Sequence, residues 1–345
     1  MGDMIAIRRR RALQAVGAGL ALPFLSTGRA RAKAPEQLRV AFFVETKPTM
    51  IAKGEGWFDQ MTGAKIQWSE AGSGAEVNTG IAAGSFDIGL AIGSSGTAAG
   101  LSQGLPYELI GMVDNIGPAE DMVVRKTANI HSPADFKGKK VATPFGSTSH
   151  FRLLGFLAVN KLTQADVTVL DMTPNAMVAA WHRGDIDAGY VWAPAKSKLL
   201  EEGGVSYPTY KELDAAGYVI ADLIVATKAF SQEYPDAVVG FLKAYGRALA
   251  LWQDKPDDAA QIVAKQAGVT ADVAKRDMEE YDFVPQKDQI SSAWLGTPGQ
   301  PGKFTEVLKR TADFLVQQKS IRSAPALAAF QKGTNTEFLQ RAVSG

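Results

Sequence analysis

Residues 179–194, AAWHRGDIDAGYVWAP, gather a histidine, an arginine, two aspartates, a tyrosine and two tryptophans in one short stretch. Such side chains could build a general acid–base pair or part of a metal site. Their spacing argues for structure instead. His182 has no second histidine at helical metal spacing, since His131 and His150 are remote in the chain. It falls at the end of an amphipathic helix that Gly184 would cap, where a lone histidine is solvated. Asp185 and Asp187 lie in the turn into a strand and are expected to be structural. Trp192 and Pro194 differ, because they follow the strand AGYV at its carboxyl end.

Other candidates stand where strands give way to helices. Glu45 and Thr46 begin ETKPT, and Ser94, Ser95 and Thr97 begin a helix in GSSGTAAG. Ser147, Thr148 and Ser149 do the same in FGSTSHF. A helix start offers unpaired N–H donors and about half a positive charge, so two of them facing each other form an anion clamp. The same serines and threonines would also serve as ordinary N-caps. Asp222 lies inside the apolar run VIADLIVA, where a carboxylate is costly unless paired, either with an arginine of the protein or with a ligand. GSSGT departs from the nucleophile motif G-x-S-x-G at its fifth position, and there is no cysteine, which excludes thiol catalysis, disulfides and Cys-type metal sites.

The elements that must position these residues alternate. LRVAFFV (38–44) reads as a buried strand and PTMIAKGEGWFDQMTG (48–63) as a helix, followed by the strand KIQWSE, the helix GAEVNTGIAAGS and the strand FDIGLAI. A short helix then leads to the strand YELIGMV. The rhythm implies parallel sheet with crossover helices. It restarts in the strand KKVATP, a helix from residues 147–149, VTVLDM, NAMVAAWHRG, IDAGYVW and AKSKLLEEG, and after GYVIADLIVAT the chain turns mainly helical. Two α/β lobes are therefore expected, one from 38–122 with 223–345 and one from 123–222, joined by more than one crossing strand. A cleft and a hinge follow, with ligand outside the carboxyl ends of the strands.

The first 32 residues read as an export signal: a basic start with Arg8–Arg11, a mildly apolar run and an Ala30-Arg31-Ala32 exit. The apolar run is shorter than the ~20 residues that span a bilayer. RRRALQ also resembles the twin-arginine signal. This segment holds six arginines against one aspartate, a net +5, so the +1 of the whole chain leaves −4 on the remainder. That balance speaks against nucleic acid as partner. With no cysteine to carry a lipid, a soluble, unanchored periplasmic protein is expected.

VATPFGSTSHFRLLGFL followed by AAWHRGDIDAGYVWAP resembles the second lobe of periplasmic taurine-binding proteins, substrate-binding components of ABC importers for sulfonates, nitrate and taurine. The resemblance extends from about Leu38 through GSFDIGLAIGSSG and DLIVATKAFSQEYPD. RGDID-x-x-YVW-x-P marks the wider group, and PFGSTSH with YVWAP and ADLIV is more specific. Gly96-Thr97, in place of a proline, and Glu45, in place of a neutral residue, depart from the pattern. The resemblance implies a type II periplasmic-binding fold, a monomer without cofactor or metal, and a membrane permease with its ATPase as partner. For a zwitterionic sulfonate such as taurine, it implies that Ser94, Ser95, Ser147, Thr148 and Ser149 hold the sulfonate. Asp222, assisted by Glu45, would pair with the ammonium, and Trp192 would cover it. An alkanesulfonate, nitrate or another small organic solute are the alternatives, and no catalytic role is expected.

Overall fold

The computed structural model describes residues 34–344, so the export signal expected over residues 1–32 lies outside the described residues. Strand β1 (Gln37–Phe42) is followed by helices α1 (Pro48–Gly54) and α2 (Trp57–Thr62), where a single helix was expected over 48–63. Gly56 between them has φ +66°, a left-handed conformation that interrupts an α-helix and that glycine adopts without Cβ strain. Strand β2 (Lys65–Glu70), α3 (Gly74–Ala82), β3 (Ile88–Gly93), α4 (Ser94–Ser102) and β4 (Tyr107–Asn115) complete the first series. The second series comprises β5 (Glu120–Arg125), β6 (Lys140–Thr143), α5 (Thr148–Val159), β7 (Thr168–Asp171), α6 (Pro174–Arg183), β8 (Ala188–Trp192), α7 (Ala195–Glu201) and β9 (Gly204–Tyr207). After α8 (Tyr210–Ala215), β10 (Ala221–Thr227) leads into α9 (Lys228–Glu233), α10 (Pro235–Asp254), α11 (Pro256–Ala267), α12 (Ala271–Glu279) and further helices to residue 343.

Two five-stranded sheets result, ordered β2-β1-β3-β10-β4 and β7-β6-β8-β5-β9. This is the two-lobed α/β periplasmic-binding-protein architecture. The chain changes sheet within residues 116–119 and again within 208–220, a few residues ahead of the lobe limits drawn from sequence. The expected parallel sheets are in fact mixed. Strand β10 runs antiparallel to both β3 and β4, and β5 runs antiparallel to β8 and β9. Chain geometry is the reason. A strand arriving from the other lobe enters its sheet at the cleft edge, where the parallel strands end, and must run away from it. Asp222 near the start of β10 therefore lies beside Gly93 and Asp114, and Glu120 at the start of β5 lies beside Trp192.

Burial holds each sheet in place. The interior strands β3, β8 and β10 are buried almost throughout, as expected for strands covered on both faces. The buried guanidinium of Arg152 on α5 donates to the carbonyls of Tyr218 and Gly117 at 3.3 and 3.4 Å and pairs with Asp214. It thus ties α5 to both crossing segments. None of the described helices is long and apolar enough to cross a membrane.

Candidate functional site

Where the cleft edges meet, the two lobes line a half-open cavity of about 20 Å³. Phe43, Glu45, Gly93 and Asp222 line it from the first lobe, and Glu120, Ser147, Thr148 and Trp192 line it from the second. A volume of that size holds about one water, so a larger solute enters only when the lobes part. The Phe43 and Trp192 rings meet edge to face across the divide, with centroids 6.1 Å apart. Ala91, also in the lining, has φ +61° in β3 next to the irregular register with β10, a bulge that re-aims the end of the strand.

Of the residues singled out from sequence, Glu45, Ser147, Thr148, Trp192 and Asp222 reach the cavity. The others do not line it. Ser94 Oγ accepts the Ala221 N–H at 3.3 Å, which makes it a fastening for β10. Ser95, its hydroxyl buried without a partner, borders a larger outer cleft of about 1160 Å³, and Ser149 is fully buried outside the lining. Ser147 caps α5 by accepting from the His150 N–H at 3.1 Å, and the Thr148 hydroxyl donates to Glu120 Oε2 at 2.7 Å. His182 is exposed beside Glu202, and Asp187 accepts the Lys140 N–H at 2.9 Å, so both serve structure.

Asp222 has a cation of its own, and it is a lysine. Lys47, 1 % exposed, pairs with Asp222 and places Nζ 3.0 Å from Asp114 Oδ2 and 3.3 Å from Glu45 Oε1. It also lies 4.4 Å from the centre of the Tyr281 ring. Burial alone would lower the Lys47 pKa, but Asp114, Asp222 and Glu45 raise it well above the ordinary value. Burial raises all the carboxyls here: Asp114 to about 8, Glu120 to about 7 against the pull of Thr148, and Glu45 and Asp222 above their usual range. Glu120 Oε1 and Glu45 Oε2 make no hydrogen bond of normal geometry, although the buried Ser149 hydroxyl lies close enough to Glu120 to help hold its pKa down. Lys47 is the cation set among Glu45, Asp114 and Asp222, whereas Glu120 belongs to no ion pair among the described residues.

Lys47, Asp114 and Glu120 were missed from sequence. Lys47 stands inside the ETKPT segment already singled out, and Asp114, next to last in an apolar strand, answers to the same logic that marked Asp222. Glu120 opens an antiparallel strand and so lies away from the carboxyl ends at which a parallel sheet places its ligand.

A second set of contacts holds the lobes together away from the cavity. Lys196 Nζ on α7 donates to Pro118 O and to Glu280 Oε2, each at 2.6 Å, and Ser197 Oγ donates to Asp277 Oδ1 at 2.5 Å on α12. Replacing Ser197 with alanine is expected to weaken the closed form by the worth of one hydrogen bond to a charged group, about 1.5–3 kcal/mol. Small-angle scattering of the unliganded variant checks this, as an increase in radius of gyration.

Residues 44–259 match the family model described as NMT1/THI5 like. The chain belongs to that family. The taurine-binding periplasmic protein of Escherichia coli K12 is 30% identical over 309 residues, covering 87% of this chain and 92% of its own. Among solved structures, the alkanesulfonate-binding protein SsuA from Xanthomonas axonopodis pv. citri bound to MOPS superposes with TM-score 0.73 at 22% identity, covering 88% of this chain and 99% of that one. The desulfurization enzyme DSZB shares the fold more distantly, with TM-score 0.62 at 18% identity over 90% of this chain and 99% of its own.

Proposed function

We propose that the chain is the periplasmic substrate-binding component of an ABC importer, and that its cargo is a small sulfonate bearing an amine, with taurine as the first candidate. The observation that carries this reading is Glu120, a carboxyl outside the ion pairs of the described residues, at a cavity that also collects two helix starts. Gly93 precedes α4 and Ser147 precedes α5, and both line the cavity, so unpaired N–H groups and two helix dipoles favour an anion there. Glu120 across the same space favours an ammonium. Thr148 serves Glu120 and orients it, so the sulfonate is left to backbone N–H groups more than to hydroxyls. Trp192 and Phe43 wall the cargo's carbon chain.

Cargo that touches both lobes stabilises the closed form by its differential affinity, and a permease with its ATPase would read that form. Relatives that bind taurine and alkanesulfonates support the substrate class. A binding role is favoured over catalysis by the absence of cysteine and by the hydrogen bonds around Ser147. Its hydroxyl donates to Pro144 O at 2.6 Å, and His150 Nδ1 accepts the Gly146 N–H at 3.3 Å, so neither group forms a nucleophile–base pair.

Calorimetric titration of residues 33–345 with taurine, ethanesulfonate and nitrate tests the reading. Taurine is expected to bind at least tenfold more tightly than ethanesulfonate; equal or tighter binding of ethanesulfonate makes the protein a general alkanesulfonate binder, and preference for nitrate removes the sulfonate. The preference also has a sign in pH. Glu120 titrates near 7 and must be ionised to receive an ammonium, while the cargo's primary amine stays protonated through that range. Taurine affinity should therefore rise by up to about tenfold per unit as pH increases towards 7, and level off above it. Ethanesulfonate affinity, which gains nothing from an ionised Glu120, should not rise.

A further inference from the structure

Three carboxylates and an aromatic face converge on one point of the first lobe. Glu45 follows β1, Asp114 is next to last in β4, Asp222 is second in β10, and Tyr281 follows α12. Carboxylates around the face of an aromatic ring are the chemistry that recognises an alkylammonium. The group held there is the Lys47 ammonium, delivered by a side chain that is 1 % exposed. Glu45 and Asp222 also line the ligand cavity, so this cage lies beside it. A buried lysine is costly unless its charge is paired and its remaining N–H donors find acceptors, and these side chains supply both.

We propose that Lys47 is a specificity-determining residue: a tethered ammonium that fills an amine-binding cage in the first lobe and so directs the cargo's amine to Glu120 in the second. The cage itself stands independently of what the cargo is; its consequence for cargo rests on the aminosulfonate reading above. With the cage occupied, the cavity accepts one amine and not two, which sets monoamines apart from diamines of similar length. The arrangement also fixes polarity. An ammonium held at Glu120 leaves the other end of the cargo between the starts of α4 and α5.

Deleting the side chain and supplying its chemistry from solution tests the cage. Lys47→Ala removes the butylammonium arm and leaves room for a free alkylammonium, whereas Lys47→Met fills that room without a charge. n-Propylamine is the probe, and n-propanol at equal concentration is the uncharged control. Lys47→Ala is expected to bind n-propylamine saturably and to gain several degrees in Tm with it. The wild type and Lys47→Met, which offer n-propylamine only Glu120, should bind it at least tenfold more weakly and gain less in Tm, and n-propanol should act on none of the three.

A variant that is unfolded at rest still answers: recovery of a cooperative melt on adding n-propylamine supports the cage. Absence of any n-propylamine effect on Lys47→Ala, folded or unfolded, overturns it, as does an equal effect of n-propanol. 1,3-Diaminopropane then tests specificity, with binding at least tenfold tighter to Lys47→Ala than to the wild type expected. Equal binding to both overturns the specificity role. No arm contains a sulfonate, so failure of the taurine titration and failure of the cage are separate results.

Discussion

Glu120→Gln is expected to lower taurine affinity by on the order of a hundredfold while leaving ethanesulfonate affinity within a few-fold of the wild type. Truncating one partner of a buried, hydrogen-bonded charge pair costs about 2–5 kcal/mol, and every 1.4 kcal/mol is tenfold in affinity. Glutamine keeps the size of the side chain and can still accept from the Thr148 hydroxyl, which holds Glu120 Oε2 at 2.7 Å, so the second lobe should retain its shape. The same substitution removes the group that titrates near 7, and the rise of taurine affinity with pH should flatten. Calorimetry at two pH values reads both effects. Unchanged taurine affinity in Glu120→Gln would return the amine to the first lobe, and an equal loss for ethanesulfonate would show that Glu120 acts through structure and not through charge.

The second large effect concerns closure. A Cβ placed on Gly93 would come within 2.6 Å of Thr148 Cγ2 in the opposite lobe, and one on Gly146 would come within 2.7 Å of the Ala75 Cβ. Gly146 additionally has φ +75°, so its substitution would strain the backbone in both open and closed forms. Gly93 lies in ordinary extended backbone and is the cleaner test. Gly93→Val is expected to hold the lobes apart without unfolding either one. The cargo would then touch one lobe only and lose hydrogen bonds to charged groups worth about 1.5–3 kcal/mol each, at least tenfold in affinity and a hundredfold or more for two bonds. Small-angle scattering should show no compaction when taurine is added, and the melting temperature should stay near that of the unliganded wild type. Compaction equal to the wild type's would mean that this approach does not govern closure.

Much of the molecule is legible in the sequence because it depends on short-range pattern. Apolar runs such as LRVAFFV and the β10 segment mark interior strands, Ser147 and Gly184 mark helix ends, and the repeated rhythm marks two lobes. Trp192, expected just past the strand AGYV, is the last residue of β8 and lines the cavity between the lobes. The break at Gly56 is a local matter too, but two glycines near a turn do not say by themselves which one leaves the helix.

What tertiary structure alone decided is the direction of the crossing strands and the pairing of the buried charges. Direction depends on which edge of a sheet the returning chain reaches, and that depends on the other lobe. For this reason Glu120, at the amino end of β5, came to face the carboxyl end of β8. Charge pairing joins Lys47 to Asp114 and Asp222, residues 67 and 175 positions away in the chain. A carboxylate in an apolar strand announces that it needs a partner, because desolvating an unpaired charge is costly. Which cation meets that need is set by where three strand ends converge, and no local pattern of residues encodes that convergence.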